Sequence, residues 1–202
     1  AKSAPYAEMN FSGMLKNRNF WLFFIWVTAL SAGGLVIVGN SAPFANTITG
    51  DLASAATIAG IISVCNGFGR ILFGTLFDAK GFRFEMITVV IAFVVATVVL
   101  LVAAATGSVP VLIVSYVLAG FAYGGVTPTN SAFTAKFFGN GNFALNLSIV
   151  NLNLLIASYL PQVASKLIDS TGSYNGAFYY VIALAIIALV VLMFIKPPKD
   201  AE

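Results

Sequence analysis

Charged residues, histidine and cysteine are all scarce in this chain. Only 8% of its 202 residues are charged, whereas roughly 25% are charged in a soluble domain. It has no histidine and one cysteine, Cys65, which excludes disulfide frameworks, zinc sites and histidine-based catalysis. Cys65 lies in an apolar stretch, which favours an inert thiol. The apolar segments hold no other nucleophile, metal-ligand set or pair of acids, so we expect neither an enzyme nor a cofactor or metal site.

Hydrophobic residues make up 59% of the chain. A core of this size cannot contain so much apolar sequence, and a large part of it must therefore face lipid. The formal net charge of +3 does not indicate a nucleic-acid partner, because the basic residues are few and dispersed and form no basic-aromatic patch. The lipid bilayer is the expected environment.

The apolar residues fall into six stretches that are long enough for helices to cross a membrane. The expected spans are about 20–41, 53–77, 84–105, 109–133, 143–165 and 174–196. Turn-forming residues separate them, and the first break is expected from Pro43 to Asp51. The shorter alternating segments of a β-barrel are absent. The predicted fold class is all-α, an integral membrane six-transmembrane-helix bundle over 20–196. An interfacial segment, 1–19, precedes it, and a cytoplasmic tail, 197–202, follows.

Basic residues concentrate on one side of these spans. Eight of the ten lie before the first span or after an even-numbered span: Lys2, Lys16, Arg18, Lys80, Arg83, Lys136, Lys196 and Lys199. Lys166 falls on the other side, and Arg70 lies within the second span. Short loops rich in lysine and arginine stay in the cytoplasm. Both termini are therefore expected to be cytoplasmic, in a multi-pass protein of the cell membrane.

Arg70 breaks the apolar pattern, because it lies deep within a span. A charge at that depth costs at least about 2.5–3.5 kcal/mol and by default marks a functional site. Asp78 follows roughly 12 Å further along the helix, and Asn66 precedes Arg70 by one turn on the same face. Two interpretations stay open: Arg70 binds a substrate carboxylate, or it pairs with backbone carbonyls or with an acid outside this chain. The acids placed at span ends, away from its depth, are Asp51, Asp78, Glu85 and Asp169.

The link between the second and third spans carries the pattern G-x-L-x-D-x-x-G-x-R, from Gly74 to Arg83. Gly74 allows a close approach of helices, and Asp78 can cap or pair at a helix end. Gly81 permits a left-handed turn, and Arg83 anchors the loop at the cytoplasmic face. An ordinary basic turn is the alternative interpretation. The whole pattern, placed between two spans, resembles the loop signature that transporters of the major facilitator superfamily carry once in each half.

The resemblance extends along the chain, towards the oxalate/formate antiporter-like branch that is related to the monocarboxylate carriers. The matching segments, which resemble its seventh, eighth and tenth helices, are Met14–Lys16 with Phe20–Trp21, Asn66–Gly74, and Tyr123–Pro128 with Phe137–Gly139. This implies the C-terminal half of a twelve-helix carrier, with residues 1–19 as the end of its central cytoplasmic loop. It also implies an N-terminal six-helix half as the missing partner and a bacterial cell membrane as the location.

The resemblance also assigns roles to single residues. Arg70 matches the arginine that this branch places in its eighth helix to hold a substrate carboxylate, and a guanidinium can bind a carboxylate bidentately. Two further assignments rest on the residues themselves. Asn66, one turn from Arg70 on the same face, is its expected orienting partner. In the fourth span, where glycines and Pro128 weaken the helix, Tyr123, Thr127 and Asn130 are candidates to face the same cavity, with helix packing as the alternative.

The fifth span is the most polar, with Asn142, Asn146 and Asn153 on one face. Amides facing lipid are costly, so this face is expected to line a cavity or a helix interface. Asn146 and Asn153 are therefore candidate substrate ligands. The oxalate carrier has a lysine in this helix, whereas 143–165 contains no basic residue. One cation with amides favours a monocarboxylate or a zwitterion over a dianion.

The expected function is secondary transport of a small organic anion, such as a carboxylate, by alternating access, with antiport as the mode typical of the branch. The alternative is a standalone six-helix membrane scaffold or a dimerising half-carrier without transport activity of its own. Six further spans upstream of residue 1 would favour the carrier.

Overall fold

The computed structural model describes residues 5–197, and within that range the chain forms helices and turns without a β-strand. The helices are α1 (Phe11–Lys16), α2 (Arg18–Thr49), α3 (Leu52–Lys80), α4 (Phe82–Thr106), α5 (Val109–Phe138), α6 (Phe143–Asn151), α7 (Asn153–Ala157), α8 (Pro161–Thr171) and α9 (Asn175–Met193). Six spans are long and apolar enough to cross a membrane: α2, α3, α4, α5, the run from α6 to α8, and α9. The prediction of an all-α, six-span bundle is confirmed. Residues 1–4 and 198–202, which include most of the predicted tail, lie outside the described residues.

Short turns join successive spans. Gly50 adopts a φ of 68° after α2, and the Asp51 carboxylate then accepts a hydrogen bond from the Ser54 amide at 2.8 Å. Gly81, with a φ of 81°, is the single residue between α3 and α4. Positive φ favours glycine, and aspartate is a preferred N-cap. These residues therefore end one helix and start the next.

The helix α2 extends beyond the first break that the sequence predicts. It continues through Pro43, and the turn begins only at Gly50. Proline removes one backbone hydrogen bond from a helix interior, but neighbouring helices allow it to be tolerated in a membrane span. The neighbouring Phe44 is buried, with its ring centroid 5.1 Å from Tyr174 and 5.0 Å from Phe178. This packing holds the end of α2 helical.

The fifth span consists of three short helices and continues to Thr171, beyond the expected end near residue 165. Where the helical hydrogen bonds of this span are interrupted, side chains donate hydrogen bonds to backbone carbonyl groups instead. Asn153 Nδ2 donates to the Val150 carbonyl at 2.7 Å, and Ser158 Oγ donates to the Leu155 carbonyl at 2.8 Å. Proline at the first position of α8 then restarts the helix, where its missing N–H is tolerated.

An aromatic cluster packs the core at one end of the bundle. Phe133 stacks on Phe23 and on Phe137, with ring centroids 3.9 and 4.0 Å apart. Phe82 meets Phe137 edge-on at 5.1 Å. Such pairs contribute about 0.5–1.5 kcal/mol each beyond burial. Because the rings come from α2, α4 and α5, they hold these three spans together.

The same end carries most of the basic residues and is called the basic end below. Arg18 begins α2 there, Lys80 ends α3, and Lys136 lies in the last turn of α5. Arg83 Nη2 donates to the Ile195 carbonyl at 2.8 Å. This hydrogen bond joins the start of α4 to the chain just after α9, where free carbonyls attract cations.

The segment 6–9, called the strap below, crosses the turn between α5 and α6 at the basic end. Its Glu8 carboxylate accepts hydrogen bonds from the backbone N–H groups of Gly141 and Asn140 at 2.9 and 3.1 Å. Two backbone hydrogen bonds add to these, from the Tyr6 amide to the Lys136 carbonyl at 2.7 Å and from the Met9 amide to the Phe138 carbonyl at 2.9 Å. The strap therefore fixes this turn to the residues before α1.

Replacing Glu8 with glutamine should loosen the strap. The backbone hydrogen bonds from Gly141 and Asn140 hold the pKa of Glu8 below its usual range. Their stabilisation is therefore fully present above the unfolded-state pKa of about 4.3 and is lost as the pH falls through the lower folded-state pKa. At neutral pH the wild type has the full stabilisation, and Glu8→Gln lacks the charge that provides it.

Hydrogen exchange read by mass spectrometry checks this prediction. The amides of Asn140 and Gly141 should exchange faster in Glu8→Gln than in the wild type at neutral pH. Asp169→Asn, which changes a carboxylate at the opposite end of the bundle, should exchange like the wild type there. Equal exchange in Glu8→Gln would show that the carboxylate does not hold the turn.

The spans differ strongly in the fraction of their residues that is buried within the bundle. In the most apolar stretch of α2, 67% of the residues are buried, against 17% in α3 and 22% in the fifth span. On α3, Val64, Phe68 and Ile71 are each more than half exposed. Apolar surface of this extent must be covered by lipid or by another protein surface within the membrane.

Candidate functional site

A pocket of about 240 Å³ opens at the surface of α3 and is formed by α2, α3 and α5. Its lining residues are Val38, Ile62, Ser63, Asn66, Arg70, Tyr123 and Thr127. Seven residues are proposed from the sequence for the substrate cavity, and four of them, Arg70, Asn66, Tyr123 and Thr127, meet in this pocket. No motif in the sequence singles out Val38 or Ser63, which reach the pocket because of how their helices pack.

Asn66 holds Arg70 in the pocket. The two residues are one helical turn apart on α3, and Arg70 Nε donates to Asn66 Oδ1 at 3.3 Å. Arg70 is exposed, and within residues 5–197 its two terminal nitrogens have no hydrogen-bond partner. A guanidinium has five N–H donors in a planar fork. The hydrogen bond to Asn66 occupies one of these donors, the Nε–H group. The two terminal nitrogens of the guanidinium remain open to a ligand.

Arg70 lies well inside the membrane-spanning part of α3. Ten residues separate it from Lys80, the end of the helix, which is roughly 15 Å at 1.5 Å per residue. Asn66 stands at the midpoint between Leu52 and Lys80. The pocket is therefore near the middle of the bundle and away from both ends.

Glycines allow α3 and α5 to pack backbone against backbone beside the pocket. A Cβ on Gly69 would lie 2.5 Å from the Phe121 carbonyl oxygen, and a Cβ on Gly120 would lie 2.6 Å from the Ile62 carbonyl oxygen. At Gly124 it would lie 2.9 Å from the Gly69 Cα. Small residues at such interfaces let helices approach closely in membranes. This contact sets the distance between Arg70 on α3 and the pocket residues of α5.

The Tyr123 ring from α5 forms another wall of the pocket, where it packs over Gly34 of α2. A Cβ on Gly34 would overlap that ring, so the glycine makes room for it. Thr127 follows one turn later on α5. The phenol and the hydroxyl can both donate hydrogen bonds to an anion held by Arg70.

Asn130 and Asn146 do not line this pocket. Asn130 is 6% exposed and donates to Asn151 Oδ1 at 3.3 Å, which links α5 to α6. Asn146 is fully buried and donates to the Met9 carbonyl at 2.9 Å, which links α6 to the strap. Both amides therefore connect elements of the bundle, and their part in substrate binding stays a prediction.

Asn153 is likewise fully buried within the bundle. Its Oδ1 accepts a hydrogen bond from Ser31 Oγ at 3.1 Å, which joins the fifth span to α2. Interhelical bonding is the second of the two environments expected for the amide face, because a buried amide needs a partner. Direct contact between Asn153 and a substrate also stays a prediction.

The loop motif takes a definite form at the basic end. Gly81 has a positive φ of 81°, which favours glycine, but its ψ of 167° differs from that of the expected left-handed turn. Arg83 donates to the carbonyl just after α9. A Cβ on Gly74 would lie 3.6 Å from the Pro128 Cβ, which is ordinary contact. The closest helix approach is thus made by Gly69 instead. Asp78 is exposed and has no hydrogen-bond or ion-pair partner within the described chain.

Glu85 is a buried acid that its position in the sequence did not reveal. It lies at a span end, as expected, in the first turn of α4, which begins at Phe82, but there it is fully buried. Thr129 Oγ1 of α5 lies 2.6 Å from its Oε1. No sequence spacing connects these two residues, so only the packing of α4 against α5 brings them together.

Six helices that are able to cross a membrane, one of which carries a cation at membrane depth, define an integral membrane protein with a polar site within its spans. The Major Facilitator Superfamily model matches residues 27–202, and the chain belongs to that superfamily, whose members are transporters and not enzymes. The Uncharacterized MFS-type transporter YhjX of Escherichia coli (strain K12) is 27% identical over 150 residues, which are 71% of this chain and 36% of that protein. The chain therefore spans well under two thirds of the length of this relative.

Proposed function

We propose that this chain is the C-terminal six-helix half of a secondary transporter for a small organic anion, best suited to a monocarboxylate, and that Arg70 binds the carboxylate. The observation that carries the proposal is the geometry of Arg70. Its Nε is anchored by Asn66, and the end of its guanidinium faces an intramembrane pocket. Transporter sites lie at this depth, and guanidinium binds carboxylate bidentately.

The composition of the pocket favours a monoanion. Among the described lining residues Arg70 is the one cation, and Tyr123, Thr127 and Ser63 supply hydroxyl groups. A dianion would leave one negative charge without a partner in a region of low dielectric, which is costly. Hydroxyls and amides suit the polar remainder of a small acid. Oxalate is a dianion and a substrate of the branch that this sequence resembles, and it fits this pocket less well than a monocarboxylate does.

The missing N-terminal half is the proposed partner that covers α3. An arginine exposed to lipid at this depth would be costly, and such residues almost always face a bundle interior or a water-filled cavity. Arg70 shares its helix with the exposed side chains of Phe68 and Ile71. A second six-helix half over this face would exclude lipid from the pocket. The relative YhjX is long enough to contain such a half.

The proposed orientation places the basic end in the cytoplasm of a bacterial cell, with both termini on that side. Alternating access then follows from the central position of the pocket. Without substrate, Arg70 needs water or a counter-ion. When a carboxylate neutralises it, the barrier to closing the two halves over a desolvated site falls. This dependence of closure on a bound anion is typical of exchange, and we propose antiport.

Ligand binding to the full-length protein in lipid nanodiscs tests the proposal. Small monocarboxylates should bind, and each should bind at least tenfold more tightly than its primary amide, which matches its shape but lacks the charge. Dicarboxylates of the same chain length should bind more weakly than the monocarboxylates. Equal binding of an acid and its amide would overturn the assignment of Arg70 as the carboxylate ligand.

A further inference from the structure

Glu85 is the one carboxylate that is fully buried in the described part of the chain. It lies in the first turn of α4, roughly seven residues of helix, or about 10 Å, nearer the basic end than Arg70, and it faces Thr129 on α5. Its second oxygen, Oε2, has no hydrogen-bond partner within residues 5–197. A buried carboxylate anion with one hydrogen bond is very costly, whereas a neutral carboxylic acid is much less so.

The two short contacts of Thr129 favour the neutral form of Glu85. Thr129 Oγ1 lies 2.6 Å from Glu85 Oε1 and 2.7 Å from the Gly125 carbonyl oxygen. A threonine hydroxyl has a single proton, and the carbonyl can only accept. If that proton goes to Gly125, the hydrogen bond to Glu85 needs a second proton, which must be on the carboxyl. Protonated Glu85 satisfies both contacts at once.

Within residues 5–197, no cation pairs with Glu85. The helices packed against α4 are α5, α9, α3 and α2. At the basic end these helices and α4 carry five charged groups, and a sixth follows α9: Lys136, Asp78, Lys80, Arg18 and Arg83, and then Lys196. Arg83, the nearest along the chain, donates to the Ile195 carbonyl, and none of the six forms an ion pair with Glu85 in the described chain.

We infer that Glu85 is a proton-binding site: it is neutral while it is packed against Thr129, and it releases its proton when the turn of α5 around Pro128 moves and admits water from the basic end. When water enters, the Oε1–H bond breaks and the proton passes to water. The resulting carboxylate stays hydrated until the contact with Thr129 forms again and the proton returns. No other reactant is required.

The site is coupled to the pocket through one stretch of α5. Thr129 directly follows Pro128, which has no N–H, so the Gly124 carbonyl lacks its normal helical partner. The same weakened turn holds Thr127, and Tyr123 lies one turn before it. Movement of this turn therefore changes both the Glu85 contact and the pocket wall. This coupling rests on the proposed function, whereas the protonation state does not.

Infrared spectroscopy of the full-length protein in lipid, without substrate, tests the protonation state. At neutral pH the spectrum should contain the carbonyl-stretch band of a protonated carboxyl group, and Glu85→Gln should remove it. Thr129→Val keeps the shape of the side chain but removes the hydroxyl, so the band should shift. Asp169→Asn should leave it unchanged. A spectrum in which Glu85→Gln removes no such band would overturn the inference.

Transport in proteoliposomes at graded pH tests the coupling. In the wild type the rate should change with the pH of the compartment that faces the basic end. In Glu85→Gln, which mimics the neutral acid, that dependence should be lost. An identical pH profile in both proteins would overturn the coupling. The infrared result is read without any substrate, so it stands or falls independently of the role of Arg70.

Discussion

Replacing Arg70 with alanine should weaken monocarboxylate binding roughly 30-fold or more. Truncating one partner of a buried, hydrogen-bonded charge pair costs about 2–5 kcal/mol, and each 1.4 kcal/mol corresponds to tenfold in Kd. Arg70→Lys keeps the charge but loses the planar fork, so its Kd should fall between those of the wild type and Arg70→Ala. Equilibrium binding to the full-length protein in nanodiscs measures all three.

Two further variants make this prediction specific. Asn66→Ala removes the hydrogen bond to Arg70 Nε, and one such bond contributes about 0.5–1.5 kcal/mol, so Kd should rise several-fold. Arg18→Ala removes an exposed arginine at the basic end and should leave Kd unchanged. An unaltered Kd in Arg70→Ala would refute the role of the guanidinium.

The melting temperature of the same variants separates the two interpretations of Arg70. If Arg70 serves a substrate, alanine removes a costly intramembrane charge, and the ligand-free protein should be as stable as the wild type or more stable. If Arg70 is a structural residue paired within the carrier, alanine should lower the melting temperature. We expect binding to fall while stability holds.

Replacing Gly124 with valine should destabilise the bundle by about 2 kcal/mol or more. Already a Cβ at this position would lie 2.9 Å from the Gly69 Cα and 3.1 Å from the Arg70 amide nitrogen. These are backbone atoms, so no side chain can rotate away, and overpacking of this kind typically costs about 1–3 kcal/mol. The helices α3 and α5 must separate, and the pocket must widen.

In Gly124→Val, the melting temperature and the affinity for substrate should therefore both decrease. Gly74→Ala is the matched control, because it adds a methyl group between the same two helices at an ordinary 3.6 Å from the Pro128 Cβ. Its melting temperature should stay close to that of the wild type. If Gly124→Val melts like Gly74→Ala, the backbone contact between α3 and α5 does not set the geometry of the pocket.

Hydropathy and charge predicted much of the architecture. The six spans, their all-α class and the grouping of basic residues at one end follow from segments of about 20 apolar residues and their flanking charges. Boundaries were less predictable. At Pro43, a residue that stops most helices, α2 continues because Phe44 packs against α9. The fifth span breaks at Leu152 and before Pro161, where side chains compete for backbone carbonyls.

The candidate site was predictable only in its centre. Arg70 stands out in the sequence because its charge is isolated in an apolar helix, and Asn66 follows from helical spacing. Tyr123 was one of several polar residues on the fourth span, and its place in the pocket depends on the space that Gly34 leaves. Asn146 and Asn153 had the same polar pattern, yet they are buried in contacts between helices.

The amino-acid sequence thus establishes a membrane protein of six helices with one deep cation, because insertion into lipid depends on local composition. The tertiary structure decides which residues surround that cation. It also decides that Glu85 and Thr129 form a buried contact. Both depend on how closely α5 approaches α3 and α4, and that distance is set by contacts between residues far apart in the chain. Glycine in a sequence permits such an approach, but only the packed neighbour shows where it occurs.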